Sequence, residues 1–379
     1  MRAEIASRDA RCLARFLGHL DELNVKLIKE VFRKGPRNLS AIARSLNAPK
    51  RTIHARFVRL KRNGLLSVHA LPAFHRLGLM SVVVLLDVRP GYEDALERVL
   101  KRHDYLYRFY RIIGRRNGVY AHFTIPVERV KDFEKYLETL EETGLVKDYD
   151  MVYTTDFVAF LSNFDYFDAE RKIWIFDVDA HLRNLEDAEE ESVEFGEPES
   201  YRIEADFIDV LIVHELQKDA TTRLASIARM QRVSRSLVKY HFDAHTDGKL
   251  ITQYLVLTPK FAPFTTGHFL FDFEFEDTAG LERFSYAMAN TPYILLAAKE
   301  LRRPRVLVEL EMPIEDLERK VSRLIRELSR PCCLAKYSMS YMQASSHFWR
   351  PVPLSLFDDE KRCWVYKADR YSEELERLG

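Results

Sequence analysis

The sequence predicts an α+β chain made of two related units. Two pairs of matching segments and one repeated order of helices and strands carry that prediction. Leu39-Ser-Ala-Ile-Ala-Arg44 matches Leu224-Ala-Ser-Ile-Ala-Arg229 at an offset of 185, and Ile53-His-Ala-Arg-Phe57 falls on Val238-Lys-Tyr-His-Phe242 at the same offset. Far downstream, Phe167-Asp-Ala-Glu-Arg-Lys-Ile-Trp174 matches Phe357-Asp-Asp-Glu-Lys-Arg-Cys-Trp364 at an offset of 190. Two matches so far apart with nearly one offset argue for duplication of a whole unit, not of one helix.

Each unit opens with three helices. Leu20 to Phe32 places Leu20, Leu23, Leu27, Ile28, Val31 and Phe32 on one helical stripe, closed by Gly35-Pro36. Ser40–Leu46 is a short second helix, and Asn47-Ala-Pro49 is a turn. Lys50–Arg62 is a third helix burying Ile53, Phe57 and Leu60. Asn63-Gly64 stops it, and Leu65–Ala70 reads as a strand. Two short helices, a tight turn and a strand make a winged helix-turn-helix. In the second unit the third helix spans about 234–245 and buries Val238 and Phe242.

An α+β part follows. Leu79–Val88 is a β-branched apolar run and reads as a strand. Tyr92–Arg102 is helical, and Tyr105–Ile113 and Val119–Pro126 are strands around the turn Arg115-Arg-Asn-Gly118. Glu128–Glu142 is a helix and Val146–Thr155 a last strand. The order β-α-β-β-α-β is ferredoxin-like. It recurs as strands at 268–275, 293–299, 305–311 and 334–341, with helices at 279–290 and 314–328. One face of such a sheet carries no helices and must be covered, and a second copy lies in the same chain to cover it. The tails ending in Trp174 and Trp364 read as core aromatics.

The chain is 379 residues long, 47% hydrophobic and 31% charged, the composition of a soluble globular protein of several domains. No apolar leader and no long uncharged apolar run is found, so the expected location is the cytoplasm, with no membrane span. Cys12, Cys332, Cys333 and Cys363 form no C-x-x-C pair, and no metal or other cofactor is expected. The net charge of zero hides a polarity: residues 1–75 hold 16 Lys/Arg against 5 Asp/Glu, whereas 177–200 hold 10 Asp/Glu against one Arg. Residues 201–265 are nearly balanced, with 9 Lys/Arg and 7 Asp/Glu. The basic end suits a polyanion, or is simply a solvated surface.

The domains expected are an N-terminal extension 1–19, helix-turn-helix 20–75, ferredoxin-like domain with tail 76–177, acidic linker 178–200, helix-turn-helix 201–262, ferredoxin-like domain with tail 263–366, and extension 367–379. In a helix-turn-helix the second short helix reads the major groove. The expected DNA contacts are therefore Lys50, Arg51, Thr52, His54, Ala55, Arg56, Arg59 and Arg62, joined weakly by Arg235 and Lys239 of the second copy. Lysine and arginine neutralise phosphates, and arginine also pairs with guanine edges.

The combination resembles the Lrp/AsnC family of transcription regulators. Leu20-Asp-Glu-Leu-Asn-Val-Lys-Leu-Ile28 is similar to the family's opening helix, with Asn24 in place of an Asp, and Ile53–Leu66 is similar to its recognition helix and wing. The resemblance implies a regulator, not an enzyme. It implies binding of double-stranded DNA, a homodimer or pseudo-dimeric monomer, and a small effector such as an amino acid between the sensor domains. Three departures stand against the family pattern: two units per chain, a central hairpin with Gly114, Asn117 and Gly118 but no acid, and the Trp-bearing tails.

An alternative resemblance is to siroheme decarboxylases, which share the helix-turn-helix and sensor in paired units and do chemistry on a tetrapyrrole. Their relatives are expected to carry a His closely followed by an Arg on the strand after the first sensor helix. Here that strand has Arg108 and Arg111 but no His. His103 precedes it, His122 lies on the next strand, and Tyr293–Ala298 in the second unit has neither. No Gly-rich phosphate loop or G-x-S-x-G elbow is present.

Overall fold

The computed structural model describes residues 11, 14–168, 170–187, 193, 195–261 and 265–376. Much of the expected extension 1–19 and most of the acidic run Glu186–Glu191 lie outside the described residues. The fold is α+β.

Helices α1 (Glu22–Lys34), α2 (Leu39–Ser45) and α3 (Lys50–Arg62) open the chain. Asp21 caps α1 by accepting from the Asn24 amide at 2.8 Å, satisfying an otherwise unpaired N–H. Strand β1 (Ser67–Pro72) follows. Next come β2 (Leu79–Val88), α4 (Glu93–Arg102), β3 (Leu106–Gly114), β4 (Gly118–Pro126), α5 (Val130–Glu142) and β5 (Val146–Thr154). A short strand β6 (Val158–Ala159) leads on to α6 (Val178–Asp187), a helix where the sequence predicts a connector.

The same order then returns. Helices α7 (Phe207–Lys218), α8 (Leu224–Met230) and α9 (Arg235–His241) precede β7 (Ile251–Leu257). After them come β8 (Thr266–Phe275), α10 (Thr278–Ala289), β9 (Ile294–Lys299), β10 (Arg305–Pro313), α11 (Ser322–Ser329) and β11 (Leu334–Met342). Strand β12 (Phe348–Trp349) and helix α12 (Ala368–Glu376) complete the described chain.

Nine strands form one continuous sheet in the order β5-β2-β4-β3-β11-β8-β10-β9-β6, with β12 added beside β3. The first half contributes β5-β2-β4-β3 and the second β11-β8-β10-β9. They join edge to edge where Ser340, Tyr341 and Met342 pair with Gly114, Ile113 and Ile112. Gly114 makes that join feasible: a Cβ there would sit 2.5 Å from the Met339 carbonyl oxygen. At the far side β6 pairs with β9, and Thr154 bridges Glu300, so the sheet nearly closes on itself.

Strand alternation sorts the side chains. Val82, Val84 and Leu86 face the helices, while Val83, Leu85, Tyr110, Ile112 and Tyr120 meet Leu270, Leu296, Ala298 and Leu307 in a core enclosed between the halves. Each half's helix-free face is thus covered by the other. Full burial of each such aliphatic chain stabilises by roughly 1.5–3 kcal/mol.

Among the described residues, the strands that follow the two helix bundles do not pair within their own halves. β1 and β7 pair antiparallel with each other, from Ser67 opposite Leu257 to Leu71 opposite Gln253. The tails also cross over. The Trp364 indole donates to the Leu77 carbonyl at 2.6 Å, and the Trp174 indole donates to the Lys260 carbonyl at 3.1 Å. Phe357, Trp364, Tyr371 and Leu375 belong to the core around the first half, and Phe176 and Val178 to that of the second.

Candidate active site between the two halves

The β1–β7 ribbon roofs a cavity of about 170 Å³ at one end of the enclosed core. Its walls are mainly apolar: Leu71, Phe74, Phe157, Leu255, Leu295 and Trp349 among others. Its polar groups are few and convergent, as in ligand sites generally. They are His69 on β1, Arg108 on β3, His268 on β8, Glu309 on β10, and His347 just before β12.

Strand geometry places them. Glu309 shares the inward parity of Leu307, and Arg108 that of Tyr110 and Ile112. From opposite halves they form a bidentate pair, Nη1–Oε1 at 2.8 Å and Nη2–Oε2 at 2.6 Å. Arg108 is 8% exposed and Glu309 is 1% exposed. Burial works to raise the Glu309 pKa, but the Arg108 guanidinium and the neighbouring His268 hold it well below the usual carboxylate range. His268 Nε2 lies 3.3 Å from Glu309 Oε2 and, among the described residues, makes no hydrogen bond. The His347 ring stacks on Tyr110 at 4.7 Å. Burial, reinforced by the charge of Arg108, lowers its pKa to about 4, so it is neutral at neutral pH.

His122 stands behind Arg108, opposite it in the β3–β4 register, with Nε2 2.8 Å from Ser81 Oγ. Burial and then Arg108 lower its pKa to about 3. Four residues from Glu309 on β10 and from His268 on β8, Arg305 binds Asp272 at 2.8 Å, and it binds Asp150 of the first half at 2.6 Å, a second charge cluster in the enclosed space.

Arg108, Arg111, His103 and His122, the residues nearest to the His-Arg pattern expected of the tetrapyrrole alternative, fall at different places, with only His122 directly opposite Arg108. Only Arg108 lines the cavity. Arg111 is held by Glu97 at 2.7 Å and by Asp94. His103 is enclosed by aromatics, stacked 4.0 Å from Tyr371. Sequence reasoning missed His69, His268, Glu309 and His347. An acid at an inward strand position among apolar neighbours was a visible signal for Glu309; His347 in a loop gave none.

The expected DNA-contact residues lie elsewhere. Lys50, Arg51, His54, Ala55, Arg59 and Arg62 are exposed on α3, and Thr52 is half-buried. Arg56 is committed to Asp21 at 2.6 Å across the first helix bundle. On α9, Arg235 is exposed and Lys239 is paired with Asp243.

No protein-family model matches the chain, and no curated protein matches it in sequence. Among solved structures it is similar to the siroheme decarboxylase NirDL, at 12% identity and a TM-score of 0.56, over 94% of this chain and 98% of that one. It is similar to NirDL in complex with an iron-uroporphyrin III analogue at 11% identity and a TM-score of 0.58, over 94% and 100% of the two chains. An AsnC family transcriptional regulator from Agrobacterium tumefaciens covers 35% of this chain and 89% of its own at 14% identity, with a TM-score of 0.29. At such identities the likeness is one of fold. It nevertheless overturns the expectation that the chain is no enzyme, because the architecture it shares over nearly its whole length is that of a solved enzyme. No helix among the described residues is long and apolar enough to cross a membrane.

Proposed function

We propose that this chain is an enzyme that decarboxylates a carboxylate-bearing tetrapyrrole in the cavity between its halves. The observation that carries the reading is the buried Arg108–Glu309 pair with His69, His268 and His347 around it, at the junction of two halves whose joint fold is that of a siroheme decarboxylase. In this reading the chain is a tandem repeat of winged helix-turn-helix and ferredoxin-like units, supported by the returning order of elements and the sequence offsets.

The chemistry follows from the walls. A substrate carboxylate entering the cavity competes with Glu309 for the Arg108 fork, which orients it. Apolar surroundings strip its water, and the charge spreads as the carbon–carboxylate bond breaks. The bonding electron pair stays on the remaining carbon, carbon dioxide leaves, and that carbon takes a proton. His268, whose Nε2 faces the site, is the proposed donor, resupplied from solvent. At about 170 Å³ the cavity is smaller than the roughly 300–1,000 Å³ of ordinary ligand pockets. A macrocycle therefore enters only when the β1–β7 ribbon and Trp349 swing aside.

Anaerobic addition of siroheme or iron-uroporphyrin III to the purified chain tests this. The expected result is a shifted Soret band and release of carbon dioxide, both lost in Arg108→Ala. Absence of any spectral change with either tetrapyrrole removes the proposal.

A second reading has its own support. Lys50, Arg51, Arg59 and Arg62 point outward from α3, and among the described residues they carry no ion pair. This face suits a DNA backbone, and filter binding at graded salt measures it.

A further inference from the structure

The second helix bundle holds a cluster that neither the cavity nor a DNA-reading role explains. Asp209 lies in the first turn of α7, His241 ends α9, and His245 lies in the wide turn Phe242–Thr246 that follows. Asp209 Oδ1 is 2.9 Å from His241 Nδ1, and Asp209 Oδ2 is 3.3 Å from His245 Nδ1. All three donor atoms lie within 4.8 Å of one another. We propose that Asp209, His241 and His245 form a site for a divalent transition-metal ion, zinc by its donor set.

Donor geometry supports this. Zinc holds imidazole nitrogen and carboxylate oxygen at about 2.0–2.2 Å, so tetrahedral donors lie about 3.3 Å apart. The Asp209–His245 spacing of 3.3 Å equals that distance, and the Asp209–His241 spacing of 2.9 Å is a little shorter. Imidazoles four residues apart plus one carboxylate give a three-ligand site with an open fourth position. Asp206, whose Oδ1 is 3.5 Å from His241 Nδ1, stands beside it. Two imidazoles favour zinc over magnesium or calcium, which prefer all-oxygen shells.

Charge supports it independently. Asp209 is 1% exposed, and among the described residues no Lys or Arg pairs with it. A buried carboxylate without a cation is costly. The first bundle meets the same need differently. At the offset of 185, Asp206, Asp209 and His241 correspond to Asp21, Asn24 and Arg56. There one acid is replaced by an amide, and Arg56 supplies a permanent charge 2.6 Å from Asp21. The second bundle keeps both acids and has imidazoles in place of the guanidinium, the exchange expected if a metal ion brings the positive charge. The ion would staple α7 to the end of α9.

The full chain, stripped with a chelator and dialysed, is titrated with zinc against a chromophoric chelator. Cobalt(II) serves as the spectroscopic probe. The expected outcome is one equivalent bound per chain, a raised melting temperature, and intense tetrahedral cobalt bands. His245→Ala, at a half-exposed position that tolerates truncation, is expected to weaken zinc at least as much as the roughly 10–100-fold seen on losing outer-sphere partners. Asp209→Asn is expected to do the same and to abolish the melting shift. No stoichiometric zinc binding by the intact chain overturns the site, as does binding unchanged in a folded His245→Ala variant.

Discussion

The two halves of the sheet share an order of elements and part company at the cavity. In the first half Arg108 pairs across β3–β4 with His122, which lies opposite Val83 on β2. In the second half the same register places Leu296 opposite Glu309, and Glu309 opposite Leu270. Two residues earlier on the central strands stand Ser81 and His268. One half therefore presents Arg, His and Ser where the other presents Leu, Glu and His. The lesson is one of symmetry. A two-fold dimer of identical units must repeat each residue across its axis. A single chain sets the Arg108 guanidinium of one half against the Glu309 carboxylate of the other, so that this site occurs once.

The largest effect expected from breaking this asymmetry comes from Arg108→Ala. It leaves Glu309 buried without its cation, and about 3–5 kcal/mol of stability is expected to go in urea denaturation. The double variant Arg108→Met with Glu309→Met is expected to recover most of that loss, since well-packed apolar replacements of buried pairs are often neutral. A single variant as stable as the parent would mean that water reaches the pair. Next in size, His268→Ala is expected to slow carbon dioxide release by roughly 10²–10⁴-fold, the usual worth of a positioned proton donor, while Ser81→Ala, at the corresponding position of the first half, leaves it nearly unchanged. Equal losses would make the halves functionally alike.

Acid supplies a third probe. Burial lowers His122 to about 3 and His347 to about 4, from an ordinary 6.5. In that interval the unfolded chain binds more protons than the folded one, so stability falls as pH drops below about 6.5. His347→Phe is expected to flatten the slope between about 4 and 6.5 in pH-dependent melting. Glu309 has the opposite history but the same sign. Its depressed folded pKa means that its contribution is lost only in stronger acid, below the usual carboxylate range. The smallest effect concerns the helix bundles: Lys50→Ala with Arg51→Ala is expected to reduce the salt slope of DNA binding by about 2. Arg235→Ala with Lys239→Ala is expected to leave it nearly constant, because Lys239 is already paired with Asp243.

Much of this architecture was legible in the residues. Lys50–Arg62 forms the helix its spacing predicts, because Ile53, Phe57 and Leu60 repeat on one face and Asn63-Gly64 ends it. The strands follow from β-branched runs such as Leu79–Val88. Pairing between units was not legible. Nothing local to Ser67–Pro72 indicates that its partner is Ile251–Leu257, since both edges offer the same backbone groups. The site was half legible for the same reason. Arg108 and its strand were identified, but the missing complement was sought on the corresponding strand of the second unit, at Tyr293–Ala298. It lies instead on the next two strands of the sheet, as Glu309 on β10 and His268 on β8. Their parity could be read from sequence; their meeting with Arg108 depends on how the sheets face each other.

The crossed tails bear on how the molecule comes apart. The segment after the first half closes the core of the second, and Trp364 to Leu375 close the core of the first. Neither half, cut free at the acidic connector, would keep a complete interior. Folding is thus expected to be a property of the whole chain: melting in one cooperative step, with amides of both central strands β2 and β8 exchanging hydrogen together and not half by half.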